Sequence, residues 1–282
     1  MISIEKVPLN YVLENDEKKL NTNNHWIDGK KPDDYHTVIE ENNTKNWVDL
    51  FHKEYRTIIL YKKDLIWMYE AFNIGKQTQL FSTLYEEDMI DFLERYREET
   101  KSIFDGRKYF IRTDTVSLKN GIHKVGPYTN LRNIIESMVT TVDAHKCFLK
   151  DDMECTIYLF PWIEDINPDK EFRIFVYNDK ITAISQQHLY DVNSWLNKMT
   201  REDIILIINK ILEFFEHKIK HIYKKDKYVM DLVLIGKDNQ PYFIEPNPFG
   251  EQYPSGSALF HWINDRDIIH GIRDLTFRYV SI

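Results

Sequence analysis

Cysteine, glycine and proline are scarce in this 282-residue chain, basic charge is not in excess, and no long apolar run occurs. Two cysteines, Cys147 and Cys155, are too few for a zinc cluster and too close in sequence for a disulfide framework, so a reducing compartment is expected. The 37 Lys and Arg residues are outnumbered by 45 Asp and Glu, giving a net charge of −8. Such a chain has no global attraction to phosphate polyanions or anionic membranes, so nucleic acid would need a local basic groove. Nowhere do ~18 consecutive apolar residues occur, as a membrane helix requires. The opening MISIEKVPLNYVLENDEKKL also lacks the apolar core of a targeting segment, which leaves a cytoplasmic location as the expectation. What is present fits a folded globular protein: 43% hydrophobic and 29% charged residues, with 14% aromatics. There is room for one large domain or two modest lobes.

Residues 1–104 read as a helical and mixed lobe. NWVDLFHKEY (46–55) and EEDMIDFLERYREETKSIF (86–104) place apolar residues at helical spacing, the second with an acidic first turn. RTIILYKKDLIWMYEAF between them opens as a strand, and the polar, turn-rich stretch from Asn21 to Asn46 predicts a long surface loop. Residues 105–282 change character. KYFIRTD, CTIYLFPWI, EFRIFVYND, KITAISQQ, YVMDLVLIG and PYFIEPNPFG are β-like runs, with turns at Asn178-Asp179 and Gly236–Gln240. One helix interrupts them over 201–223, with Thr200 as its expected N-cap. The class expected is α+β, with mostly antiparallel sheets.

Four segments can carry chemistry. In YVMDLVLIGKDNQPYFIEPNPFGE (228–251), paired strands would bring Asp231 beside Glu245 and Asn247, a set of hard oxygens suited to Mg²⁺. A solvated polar rim is the alternative. In EFRIFVYND, Glu171 and Arg173 share one strand face, either as a surface pair or with Arg173 clamping a phosphate through its planar fork. In KYFIRTDTVSLKNGIHKVGP (108–127), Arg112 leads from an apolar strand into a loop bearing Ser117, Lys119, Gly121, Lys124 and Gly126, which could cover phosphates or form a solvated hairpin. CTIYLFPWIE (155–164) ends in Phe160-Pro161-Trp162, where proline marks an edge or hinge able to face an adenine, or aromatics that pack a core.

Together and in this order, these segments resemble the ATP-grasp superfamily, and most closely its D123 (cell division cycle protein 123) branch. The motifs behind the D123 resemblance are Trp162, Asn167-Pro168, Glu171 to Val176, Ile184 to Gln186, Asn247 to Gly250 and Leu259 to Trp262. The resemblance implies two α+β lobes enclosing a nucleotide cleft, with ATP and Mg²⁺ as cofactors and Mn²⁺ able to substitute. It gives Arg112 the place of a phosphate-contacting strand cation and Lys119 a place in the phosphate-covering loop. Leu159, Phe160, Pro161 and Trp162 take the adenine hinge, Arg173 the phosphate arginine, and Asp231, Glu245 and Asn247 the metal triad. Arg112-Thr-Asp and Ser117-x-Lys119-x-Gly121 also resemble a viral and bacterial ATP-grasp clade associated with RNA ligation.

The leading expectation is therefore an ATP- and Mg²⁺-dependent RNA ligase with a role in RNA repair, in the host cytoplasm if the protein is viral. AMP would pass to a 5′-phosphate RNA end before a 3′-hydroxyl displaces it. Lys119 would be the nucleophile, with Lys108 and Lys124 as competitors, and Arg112 and Arg173 would stabilise phosphate charge. RNA ends would lie on a basic groove of Lys124, Arg132, Lys220, Lys224, Lys225 and Lys227. One alternative is a D123-like assembly factor for a translation initiation factor, the only reading that implies a stable protein partner. The other is a carboxylate-amine ligase.

Overall fold

The computed structural model describes residues 1–141, 148 and 154–282. Among these the strands are, in chain order, β1 (Ile2–Pro8), β2 (Arg56–Tyr61), β3 (Tyr109–Arg112), β4 (Glu154–Pro161), β5 (Glu171–Tyr177), β6 (Lys180–Gln186), β7 (Lys227–Ile235), β8 (Gln240–Asn247) and β9 (Leu275–Ser281). They form a six-stranded sheet, ordered β1-β9-β6-β5-β7-β8, and a three-stranded sheet, ordered β2-β4-β3. Pairing is antiparallel except at β1–β9 and β6–β9. The fold is α+β, built on these two mostly antiparallel sheets.

The chain divides into two compact units, a larger one of Met1–Asn42 with Glu164–Ile282 and a smaller one of Asn43–Ile163. These bounds differ from a division at residue 104, and strand pairing explains why. β1 joins the six-stranded sheet by pairing in parallel with β9, from Ile2 opposite Leu275 to Pro8 opposite Ser281. β2 pairs with β4, which draws residues 43–104 into the smaller unit's core, where Leu60, Met68, Phe72 and Phe92 cluster with Ile111, Ile134, Met138 and Leu159.

In the larger unit, Asn178 and Asp179 take left-handed φ values of 50° and 56°, as a tight hairpin between β5 and β6 requires. The helix Arg201–Phe214 starts from a reciprocal cap. Thr200 Oγ1 accepts from the Asp203 N–H at 3.1 Å, and the Asp203 carboxylate accepts from the Thr200 N–H at 3.1 Å. Ile204, Ile207, Ile208 and Ile211 form its buried stripe. The helix expected over 201–223 does not run through as one α-helix, because Phe215–Ile219 widen into a π-turn.

In the smaller unit, the helix expected over 86–104 is two, Glu86–Arg95 and Arg97–Phe104. Tyr96 lies buried at the break, its hydroxyl donating to the Ile59 carbonyl and the Asp64 carboxylate. The helix expected over 46–55 shrinks to Val48–Phe51. Helices Lys62–Thr78 and Leu131–Thr140 pack closely at Gly75, where an added Cβ would collide with the Val139 carbonyl oxygen. Gly75→Ala should therefore lower stability by about 1–3 kcal/mol despite alanine's better helix propensity, as read from the chemical denaturation midpoint.

Candidate functional site

Strand alternation puts Glu171, Arg173, Phe175 and Tyr177 on one face of β5. On that face Arg173 lies opposite Asp231 of β7, and Asp231 opposite Glu245 of β8. In the other direction Arg173 faces Ser185 of β6, Ser185 faces Arg278 of β9, and Arg278 faces Glu5 of β1. One polar residue from each strand thus forms a row across the whole sheet.

Its centre is an ion pair shielded from water. Arg173 Nε and Nη2 donate to the two oxygens of Asp231 at 2.9 and 2.8 Å, and Nη1 donates to the Gly256 carbonyl at 2.8 Å. The two side chains are 11% and 2% exposed, so the pair carries the desolvation cost of burial rather than the screening of a surface contact. Burial holds the Asp231 carboxyl above its ordinary range; Arg173 pulls against this, while Glu245 and Glu171 add to it. Burial also acts to weaken the Arg173 charge, but Asp231, Glu245 and Glu171 outweigh it and the guanidinium stays cationic.

Three carboxylates around one guanidinium leave an excess of negative charge that a divalent cation would relieve. Asn247 Nδ2 donates to Asp231 Oδ2 at 3.2 Å, so its amide oxygen is available for a different direction. Arg173 and Asn247 together engage most of the Asp231 lone pairs. Glu245 and the Asn247 amide oxygen supply the remaining hard oxygens, a donor set that fits Mg²⁺. No three His, Cys, Asp or Glu side chains converge as a metal cage among the described residues, so the amide is essential to such a site here.

Arg278, Asp265 and Glu5 lie outside the motifs quoted above. Arg278 donates to Glu5 at 2.8 Å, to both Asp265 oxygens at 2.8 and 3.0 Å, and to the Leu259 carbonyl at 3.1 Å. The Leu259 N–H donates to Ser185 Oγ at 3.0 Å. Segment 250–262 is therefore fastened over the row by both sheet arginines. Residues 21–26 are tied to that segment: the Asn21 N–H reaches the Ala258 carbonyl at 2.7 Å and the His25 N–H the Glu251 carbonyl at 2.8 Å. A Cβ at Gly256 would lie 2.5 Å from Asn21 Oδ1. The surface loop expected over 21–46 is thus anchored at its start and contains the helix Tyr35–Glu41. Arg278, a charge between Phe277 and Tyr279, gives the same alternation signal as Arg173.

In the smaller unit, Arg112 is buried at the end of β3, donates from Nε to Thr44 Oγ1 at 3.2 Å, and lies 5.3 Å from the Trp47 ring centroid. The following loop is docked on the helix Leu131–Thr140. The Ile122 N–H donates to Thr140 Oγ1 at 3.0 Å, the His123 N–H to Ser137 Oγ at 3.2 Å, and a Cβ at Gly121 would meet Ser137 at 2.6 Å. These two N–H groups serve the helix rather than a phosphate. Lys119 is exposed on this loop. Leu159 and Phe160 are buried on β4, the central strand of its sheet, and Pro161 is exposed at its end. β2 pairing stops at Leu159, so Phe160 and Pro161 pair with β3 alone, and the Trp162 N–H donates to the Lys108 carbonyl at 2.9 Å.

Three of the six cations expected to line an RNA groove are ion-paired within the chain. Arg132 donates to both Glu86 oxygens at 2.9 and 2.7 Å and to Glu136 at 2.9 Å, which holds the Glu86 carboxyl below its usual range. Lys220 pairs with Glu216 at 2.9 Å and Lys225 with Glu41 at 3.0 Å. No helix among the described residues is long and apolar enough to cross a membrane.

The D123 family model matches residues 131–281, a span that contains the sheet row except for Glu5. The translation initiation factor eIF2 assembly protein of Candida albicans is 32% identical over 121 residues, 41% of this chain and 32% of that protein. Its namesake from Xenopus laevis is 33% identical over 108 residues, 38% of this chain and 29% of that protein. The matches therefore span less than a third of these relatives' length. C-terminally truncated Cdc123 from Schizosaccharomyces pombe superposes with a TM-score of 0.60 at 16% identity, covering 87% of this chain and 98% of that one, and so shares the fold. These relatives overturn the expectation of RNA end joining and repair, for they are assembly proteins of an initiation factor, and the ion-paired state of Arg132, Lys220 and Lys225 accords with the correction.

Proposed function

The chain belongs to the D123 family, and from that premise we propose that it is an ATP-binding assembly factor for a translation initiation factor, using nucleotide to shape a protein-binding surface rather than turning it over. The observation that carries this reading is the buried Arg173–Asp231 pair, with Glu245 and Asn247 beside it, inside the matched segment. In this proposal Glu245 and the Asn247 amide oxygen hold Mg²⁺, together with what Arg173 and Asn247 leave of the Asp231 carboxylate; the metal would neutralise the phosphates of bound ATP, and Arg173 adds positive charge beside them. Arg112, Lys119 and the segment Leu159, Phe160, Pro161 and Trp162 are proposed as further nucleotide contacts. The setting proposed is the cytoplasm.

Reconstitution of eIF2 from separately purified subunits tests the proposal. The protein with Mg·ATP should raise the yield of assembled factor without releasing ADP or AMP in step with product. An equal yield with and without the protein would contradict it.

A further inference from the structure

Trp26, Tyr35 and Tyr253 meet on the surface of the larger unit, outside the sheet row. Tyr35 stands edge-on to Trp26, with centroids 6.0 Å apart and planes at 86°, and stacks on Tyr253 at 6.1 Å and 26°. Side-chain hydrogen bonds fix Trp26 and Tyr253, and a backbone bond holds the turn that carries Tyr35. The Trp26 Nε1–H donates to the Gln252 carbonyl at 2.9 Å, the Tyr253 hydroxyl to Asp34 at 3.0 Å, and the Tyr35 N–H to the Pro32 carbonyl at 3.0 Å. Such a cluster is preorganised at little further cost in conformational entropy.

The cluster already holds a cation of the chain's own. Lys31 Nζ lies 4.7 Å from the Tyr35 centroid and 5.5 Å from that of Trp26, within cation–π range. Burial, together with Asp34, Glu251 and Glu41, pushes the Tyr253 hydroxyl up to about 12. Two aromatic faces around an ammonium group, with the Asp34 carboxylate on the neighbouring Tyr253 hydroxyl, are the chemistry of a cation receptor, and Lys31 is exposed.

A groove of about 310 Å³ continues from Trp26, lined by the apolar Ile27, Trp262 and Ile263 and by the polar His25, Glu251, Gln252 and Arg266. Ile27 and Ile263 remain 76% and 54% exposed at this groove. An open groove of mixed lining, with exposed Ile27 and Ile263 and the Glu251 carboxylate, beside a cation site suits a basic side chain carried on a peptide segment, as a protein partner presents it, better than a small free cation.

We propose that Trp26, Tyr35 and Tyr253 form a receptor for an arginine or lysine side chain of a protein partner, with Lys31 as its exchangeable internal occupant. The proposal rests on the assembly-factor reading only for the existence of a protein partner. Its test uses neither nucleotide nor initiation factor, so the two can fail separately.

The test is titration of the full chain with acetyl-Gly-Arg-Gly-Leu-amide and its citrulline counterpart, which keeps the shape and removes the charge. The readout is the Trp26 indole N–H resonance, identified by its loss in Trp26→Phe. The arginine peptide should shift that resonance and the citrulline peptide should not. Lys31→Ala should tighten binding by about fivefold, because it removes a competitor from the binding-competent state. Tyr35→Leu should abolish the shift, and Tyr253→Phe, which keeps the ring, should retain it. Equal response to both peptides, no response in wild type and Lys31→Ala alike, or weaker binding by Lys31→Ala would each overturn the proposal.

Discussion

Replacing Arg173 with leucine should lower stability by about 3–5 kcal/mol, because the change leaves the Asp231 carboxylate buried without a partner. The loss should exceed that of an ordinary core substitution for an identifiable reason. Asp231 is 2% exposed and accepts two hydrogen bonds from the guanidinium, while Glu245 and Glu171 both oppose its ionisation. Removing the cation leaves one amide donor, Asn247, to support it. The double variant Arg173→Leu/Asp231→Leu should recover much of the loss, since removing both buried charges also removes the desolvation cost. Urea unfolding of wild type, the two single variants and the double variant measures the coupling. A change within ±0.5 kcal/mol in Arg173→Leu would mark the pair as an ordinary surface contact.

The centre of the site is legible in local pattern. Charged residues alternate with Phe172 and Ile174 on β5, and Glu245 and Asn247 stand two apart on β8, so period-two geometry alone places them on faces. The six β-like runs from Tyr109 to Asn247 are strands for the same reason. Pairing across the length of the chain leaves no such trace. Nothing within Ile2–Pro8 indicates that its neighbour is Leu275–Ser281, so the row's extension through Arg278 to Glu5 is not visible before the fold is. The compact units have other bounds than a division at residue 104 on the same ground, since both β1 and β2 find their partners beyond it.

The loop around Lys119 shows the limit of reading by composition. Its glycines and cations suit a flexible phosphate cover, yet Gly121 is required for close contact with Ser137, and two backbone donors are used on helix hydroxyls. Only the structure distinguishes a glycine needed for packing from one needed for motion. Arg132 is similar. It reads as a nucleic-acid contact in sequence and is held by Glu86 and Glu136 in the fold.

Calorimetric titration of Mg·ATP into wild type, Glu245→Gln and Asn247→Leu, with a thermal melt of each, tests the metal-nucleotide assignment most directly. Wild type should bind saturably and lose that binding when EDTA removes the metal. Each variant should bind on the order of 100-fold more weakly, about 2.8 kcal/mol at 1.4 kcal/mol per tenfold, while keeping a cooperative melt. Unchanged Mg·ATP affinity in both variants, with intact melts, would contradict the placement of ATP and Mg²⁺ on the Arg173–Asp231–Glu245 row.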